Sequence, residues 1–367
     1  MRRIRISIFM IVVTLLCIGV VMVYSSSAMF SYDRYRSTTF FLSHHLLHLL
    51  IGMVLAAFVM SIDLLLLRRW IKPLFIFSVF LLFIVFIPAV GKTVGGARRW
   101  IKIGSFAFQP SELVRWTTVL FLADALAQKV KENMHQLRDF FGLLAISGGV
   151  SALILIQPDL GGALSVAVVS MVLFFVVGMN MRHILAMLLA CLPVLYFAIF
   201  LVPYRRKRIF AFLNPWADAR GIGFQMVQSY LALGLGGIFG VGLGQSKQKL
   251  FYLPAAHTDF IFSIIGEELG LIGTIAIIVL FMLFFWQGIR IALRCADSFI
   301  QLLSFGIVAT IVFSTLVHIA VVCGAVPTKG LPLPFISYGG SALVFNMAAV
   351  GLLLNISRDR YCGGEVK

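Results

Sequence analysis

The sequence predicts an all-α polytopic membrane protein with about ten transmembrane helices, both termini on the inner side, and a large outer loop between helices 7 and 8. Three observations carry that reading. Of 367 residues, 61% are hydrophobic and only 12% are charged, against about 45–50% and about 25% in soluble domains. Apolar runs long enough, or nearly so, to cross a bilayer recur from end to end. The runs are continuous, whereas a membrane β-barrel alternates apolar and polar residues in segments of about ten. The whole chain, 1–367, reads as a single integral membrane domain.

The first run, 6–29, follows Met1-Arg2-Arg3-Ile4-Arg5 without a small-residue cleavage site, so it is a retained helix rather than a signal peptide. The second, 44–62, opens with His44, His45 and His48, an i,i+4 pair that lacks a third metal ligand and reads as a helix edge. Runs at 72–90 and 110–128 follow, and those at 141–157 and 160–178 meet at Gln157-Pro158-Asp159-Leu160-Gly161-Gly162. Pro158 and the glycines there are turn chemistry, and Asp159 is placed to cap the sixth helix. The remaining runs are 184–202, 259–286, 299–325 and 338–357. Between the seventh and eighth lies the extracytoplasmic loop 203–258, where Phe224 to Leu235 is apolar enough for a short amphipathic or re-entrant helix. Glycines at 234, 236, 237, 240, 242 and 244 then permit tight backbone packing. Five cysteines show no C-x-x-C spacing, so neither a disulfide framework nor a metal knuckle is expected.

An even number of spans puts both termini on one side. The N-terminal arm, Arg68, Arg69 and Lys72 in the loop 63–72, Arg290 and Arg294, and the tail residues Arg358, Arg360 and Lys367 are expected inside by the positive-inside rule. The 30 Lys and Arg nevertheless divide evenly between the two faces. Orientation rests on the short loops and the N-terminal flank, because long segments translocate largely regardless of charge. The formal net charge of +16 points to membrane orientation and anionic lipid groups, not to nucleic acid. Basic clusters on the outer side call for a ligand with phosphate groups.

Asp259 is the leading candidate site residue. It opens the eighth apolar run, with His257 two residues before it, and an acid at that boundary needs a partner, a cavity or a job. Near a helix N-terminus it is expected to stay ionised, as a base or as a cap shared with Thr258. Glu267 and Glu268 follow on the same helix, pointing in directions about 100° apart and so toward different partners, for a pathway or for structural pairing. Gly95-Gly96-Ala97-Arg98-Arg99-Trp100 sets two guanidinium groups on flexible backbone, a pattern suited to phosphate oxygens or to interfacial anchoring. The late loop 327–341, with three prolines and three glycines, has a rigidly specified course. Its Lys329 is a second anion contact, and Ser337 joins it as a substrate-binding candidate. From the residues alone, enzyme and transporter stand nearly level, acting on an anionic, phosphorylated lipid or solute at the outer face.

Several ordered motifs then resemble the SEDS family along essentially the whole chain. They are Asn214-Pro215-Trp216-Ala217-Asp218, Lys249-Leu250-Phe251-Tyr252-Leu253-Pro254, His257-Thr258-Asp259-Phe260 with Gly266-Glu267-Glu268-Leu269-Gly270, and Lys329-Gly330-Leu331-Pro332-Leu333-Pro334-Phe335-Ile336-Ser337-Tyr338-Gly339-Gly340-Ser341. Gln109-Pro110-Ser111-Glu112 and Gln157-Pro158-Asp159-Leu160-Gly161 also resemble it. The wording of 249–260 and 329–341 is more similar to division members than to elongation members. The resemblance implies a SEDS-type fold of ten transmembrane helices and an inverting peptidoglycan glycosyltransferase that polymerises lipid II, with undecaprenyl pyrophosphate leaving. It implies a class B penicillin-binding protein and other division proteins as partners, and the bacterial cytoplasmic membrane at the septum as location. It assigns the essential aspartate to Asp259. No cofactor is certain; a divalent cation, Mg or Mn, could assist, and no metal ligands are assigned. Where the family commonly has Pro-Glu-Ala-His, this chain has Pro254-Ala255-Ala256-His257. A lipid II flippase and a non-enzymatic scaffold of the division machinery are the alternatives.

Overall fold

The computed structural model describes residues 1–94, 97–103, 106–132, 137–358 and 361. Gly95, Gly96, Arg360 and Lys367, all named above, lie outside the described residues. Each of the ten apolar runs forms a helix: α1 (Arg2–Tyr35), α2 (Phe40–Ser61), α3 (Leu64–Ile84), α4 (Pro110–Lys131), α5 (Leu137–Ile156), α6 (Leu160–Val176), α7 (Met181–Phe200), α10 (Ile261–Ala292), α11 (Ser298–Val322) and α12 (Gly340–Ile356). The outer loop contributes α8 (Pro203–Leu213), a 3-10 turn at Pro215–Asp218, and α9 (Phe224–Gly236). Six helices (α1, α2, α5, α7, α10 and α11) are long and apolar enough to cross a membrane, fewer than the ten expected. The apolar α6 and α12 stop at 17 residues. α3 and α4 are longer but carry charges along their length.

Local chemistry sets the boundaries. Asp63 accepts from the Leu65 amide and starts α3 at Leu64. Arg68, Arg69 and Lys72 therefore ride on the first turns of α3 and not in a loop, a correction to the expected start at 72. Asp297 caps α11 through the amides of Phe299 and Ile300, and Pro110 occupies the first turn of α4, where a missing N–H costs nothing. The chain is not wholly helical. Between α3 and α4, β1 (Gly91–Val94), β2 (Ala97–Ile103) and β3 (Phe106–Phe108) form an antiparallel sheet in the order β1-β2-β3. The β-branched Thr93, Val94, Ile101 and Ile103 suit strands.

α10 is the central strut, packed by α1, α9 and α11, while α2 lies along α12 and α4 is held between α3 and α11. Outward faces are greasy: α7 leaves Leu185, Leu189, Leu192 and Phe197 exposed, as lipid-facing side chains are. α10 is broken at Gly270, whose φ of 67° leaves the helical range. The segment after α9 fills that break: Val241 and Gly242 amides donate to the carbonyls of Glu267 and Glu268, and Leu271 and Ile272 amides donate to those of Gly237 and Ile238. Unwound backbone is thus satisfied by neighbouring backbone, as a bilayer interior requires. A Cβ on Gly240 or Gly270 would strike that facing main chain, and both sit at positive φ, so glycine is needed at each.

At one end of the bundle, Tyr361 donates to Asp63, Arg68 pairs with Asp124 at 2.5 Å, and Arg294 meets Met1. The N-terminal arm, the start of α3, the α10–α11 connection and residue 361 thus share one end. The sheet and the loops 237–260 and 326–339 gather at the other. Cys17, Cys191 and Cys323 are free thiols, while Cys295 is disulfide-bonded, a pairing the spacing did not suggest.

Candidate active site

The site is built where two loops are stitched together ahead of α10 and α12. Ser337 Oγ donates to the Thr258 carbonyl at 2.8 Å and accepts from the Leu333 amide at 2.9 Å. The Tyr338 amide donates to the His257 carbonyl at 3.0 Å. His318 Nδ1 contacts the Leu331 carbonyl at 2.9 Å, fastening the late loop to α11. Ser337 thus serves as the stitch, with its hydroxyl hydrogen already donated.

The Asp259 turn is closed by the Ala255 carbonyl, which accepts from the amides of Thr258 at 3.1 Å and Asp259 at 3.0 Å. Ala255 takes the left-handed region at φ 55°, and Phe251 and Phe335 beside the same loops are also left-handed. Non-glycine residues there are strained, and such positions gather at working sites. The Asp259 carboxylate faces Gly330: a Cβ on that glycine would stand 3.1 Å from Oδ2. Gly330 therefore opens the space in front of the carboxylate.

Charge converges on this point from four separate segments. Arg99 on β2, Arg208 on α8 and Lys329 beside Gly330 supply cations. Arg99 lies 3.7 Å from Asp159, and Arg208 donates to the Thr328 carbonyl at 2.9 Å. Asp159 caps α6 through the Gly162 amide at 3.0 Å, as expected, and also accepts from Gln109 Nε2 at 3.3 Å and Ser111 Oγ at 3.4 Å. Burial pushes the Asp259 carboxyl up to about 6, even though Arg208, the Thr258 hydrogen bond and Arg99 all pull the other way. Desolvation thus outweighs the nearby cations, and the carboxyl is still mostly ionised at neutral pH. Burial also lowers Lys329 to about 8, with Asp159 opposing it, so the amine is still largely charged at neutral pH.

His257 takes a different place. Its ring packs between Phe30, Phe41 and Tyr338, with centroids 5.6, 4.7 and 5.8 Å away, and burial lowers it to about 4, so it is neutral. Arg98, the neighbour of Arg99 across a register shift in the β1–β2 pairing, is engaged elsewhere and donates to the Phe86 carbonyl at 3.3 Å. Glu267 and Glu268 do have different partners. Glu267 accepts from Ser246 Oγ and from the Lys247 amide at 2.8 Å, organising the turn before the site. Glu268 accepts from Ser25 Oγ at 2.7 Å and pairs with Lys249 at 2.8 Å, both carboxylates being fully buried. Gln109, Ser111 and Lys249 stand inside the family-like motifs, but the sequence assigns them no role, and it does not single out Arg208. Among the described residues, no group of three His, Cys, Asp or Glu could hold a metal ion. Around Asp259 the charged groups are Asp159 and the cations Arg99, Arg208 and Lys329.

The comparisons with known proteins agree with one another. The family model described as "Cell cycle protein", covering FtsW, RodA and SpoVE, matches residues 5–362. A probable peptidoglycan glycosyltransferase FtsW of Geobacter sp. (strain M18) is 43% identical over 360 residues, covering 97% of this chain and 98% of that protein. Stage V sporulation protein E of Bacillus subtilis (strain 168) is 43% identical over 352 residues, covering 96% of each. Among solved structures, a chain from a peptidoglycan synthase complex that coordinates polymerization and crosslinking superimposes with a TM-score of 0.79 at 31% identity, covering 96% of this chain and 97% of that one. The rod shape determining protein RodA of Thermus thermophilus gives a TM-score of 0.72 at 29% identity, covering 96% of each chain.

Proposed function

This chain belongs to the SEDS family of FtsW, RodA and SpoVE proteins, and on that premise we propose that it polymerises lipid II into glycan strands at the outer face of the cytoplasmic membrane. It is a glycosyltransferase of cell-wall and division synthesis. The observation that carries the finer reading is the Asp259 carboxylate, opened by Gly330 and surrounded by Arg99, Arg208 and Lys329.

In this reaction the 4-hydroxyl of a GlcNAc attacks the anomeric carbon of a MurNAc joined to undecaprenyl pyrophosphate. The new C–O bond forms as the bond to pyrophosphate breaks, with inversion, and the leaving group takes the electron pair. Pyrophosphate departs without a general acid once its charge is met by Arg99, Arg208 and Lys329. The hydroxyl proton passes to Asp259. A carboxyl raised to about 6 is a stronger base than an ordinary aspartate and is still ionised at neutral pH. Arg98 is engaged elsewhere, and Ser337 and His257 shape this point.

Ten crossings, α1–α7 and α10–α12 with both termini inside, suit the molecule. Arg115 of α4 is met inside the bundle by Glu112, as an intramembrane charge must be, and Arg68 of α3 pairs with Asp124 at the end of the bundle. Loop 203–258 then lies outside, with α9 re-entrant against α10. A class B penicillin-binding protein supplies crosslinking, and the septum is the place of action. The flippase alternative loses its best residues, because Glu267 and Glu268 are saturated by local partners.

The test is polymerisation of labelled lipid II by the purified chain, with and without the cognate transpeptidase partner and with crosslinking blocked. Glycan ladders from the native complex that vanish in a folded, lipid II-binding Asp259→Asn protein are expected. No ladders from the native complex, with lipid II crossing proteoliposome membranes, would favour the flippase.

A further inference from the structure

We propose that the end of the α1–α10 pair remote from Asp259 holds the headgroup of an anionic glycerophospholipid from the inner leaflet. A cavity of about 470 Å³ opens there, with Arg2, Arg3, Arg290 and Arg294 among its walls and, among the described residues, no carboxylate. Arg2 and Arg3 come from the first turn of α1 and Arg290 and Arg294 from the end of α10, so the fold brings together charges 287 or more positions apart (290 − 3). All four guanidinium groups are exposed, and none forms an ion pair among the described residues. Like charges gathered this closely repel, and a phosphate accepting from several guanidinium groups relieves that repulsion.

The walls favour a lipid over a soluble anion. On neighbouring turns the same two helices expose Ile6, Phe9 and Met10, and Met282, Leu283 and Trp286. Those side chains offer an apolar seat for acyl chains, with Trp286 at the depth where tryptophan belts lie. Position fixes the leaflet. α10 runs 32 residues from the Asp259 loop to this cavity, and the stretch after its break at Gly270 is by itself about 33 Å long, so the two sites face opposite sides of a bilayer.

The test compares lipid retention by native mass spectrometry after exchange into micelles containing phosphatidylglycerol or phosphatidylethanolamine. The native chain should retain phosphatidylglycerol preferentially. The double variant Arg290→Gln/Arg294→Gln should bind it roughly thirtyfold more weakly, as expected for two basic contacts to an anionic headgroup. A matched loss of charge elsewhere, Arg69→Gln/Lys131→Gln, should change little. Unaltered melting temperature and elution volume show that each variant is folded. Equal retention by the Arg290/Arg294 variant and the native chain would overturn the proposal, as would equal losses in both double variants. Displacement of the lipid by millimolar inorganic phosphate, with phosphate itself bound through Arg290 and Arg294, would reassign the site to a soluble anion and overturn the lipid.

Discussion

Asp259 is held in a state that suits chemistry better than stability. Its carboxyl titrates near 6 in the fold, against 3.8 for the ordinary group, because desolvation outweighs the nearby cations. The folded chain therefore binds this proton more tightly than the unfolded chain. The stabilisation is complete below the unfolded value and is lost as pH rises from about 4 to about 6. Above that window the ionised carboxylate burdens the fold. Asp259→Asn should accordingly melt at the same or a higher temperature than the native chain at pH 7.5, while polymerisation falls by about 10²–10⁴-fold, the usual weight of a general base. A variant that lost activity together with melting temperature would assign Asp259 a structural role. As the base form is the deprotonated one, kcat/KM should climb through about pH 6 and level off above it. Arg208 pulls this value down, so in Arg208→Gln the acid limb should move to higher pH, read from the same profile.

Elements show why some of this was legible before any coordinates and some was not. Continuous apolar runs located all ten main helices, and the acid at a run boundary located Asp259. The glycine run gave only permission for close packing, because the backbone it meets, residues 266–272, lies some thirty positions away and is itself broken at Gly270. The sheet at 91–108 was missed for a related reason: short strands among glycines and basic residues carry little periodicity. The docking of this segment makes its own prediction. Gly240→Ala combines a positive φ of 81° with a clash against the Glu268 carbonyl, and should cost about 1–3 kcal/mol in unfolding experiments. Gly234→Ala, with open space around its Cβ in α9, should be neutral or stabilising by up to about 1 kcal/mol. Similar losses at both positions would mean that the break in α10 is not held by backbone contact.

The whole molecule separates its charges by end. One end carries the arginines of the N-terminal arm and short loops, whereas the cations at the other end resisted the positive-inside rule when read from sequence. Folding accounts for three of them: Arg99, Arg208 and Lys329 come from β2, α8 and the late loop to surround Asp259 and Asp159. No spacing along the chain could reveal that convergence, since the contributing segments are about a hundred residues apart. If these cations meet the pyrophosphate, binding should weaken with ionic strength, because charges at a partly open mouth are screened over about 10 Å at 0.1 M salt. KM for lipid II should then rise with salt more than kcat falls. The neighbouring arginines of β2 offer the sharper comparison. Arg99 stands 3.7 Å from Asp159, while Arg98 donates to the Phe86 carbonyl. Arg99→Gln should raise KM and flatten its salt dependence, and Arg98→Gln, with the same change in net charge, should leave both close to the native values. Equal effects from the two substitutions would show that the outer field acts through its total charge, and the geometry around Asp259 would lose its claim to position the pyrophosphate.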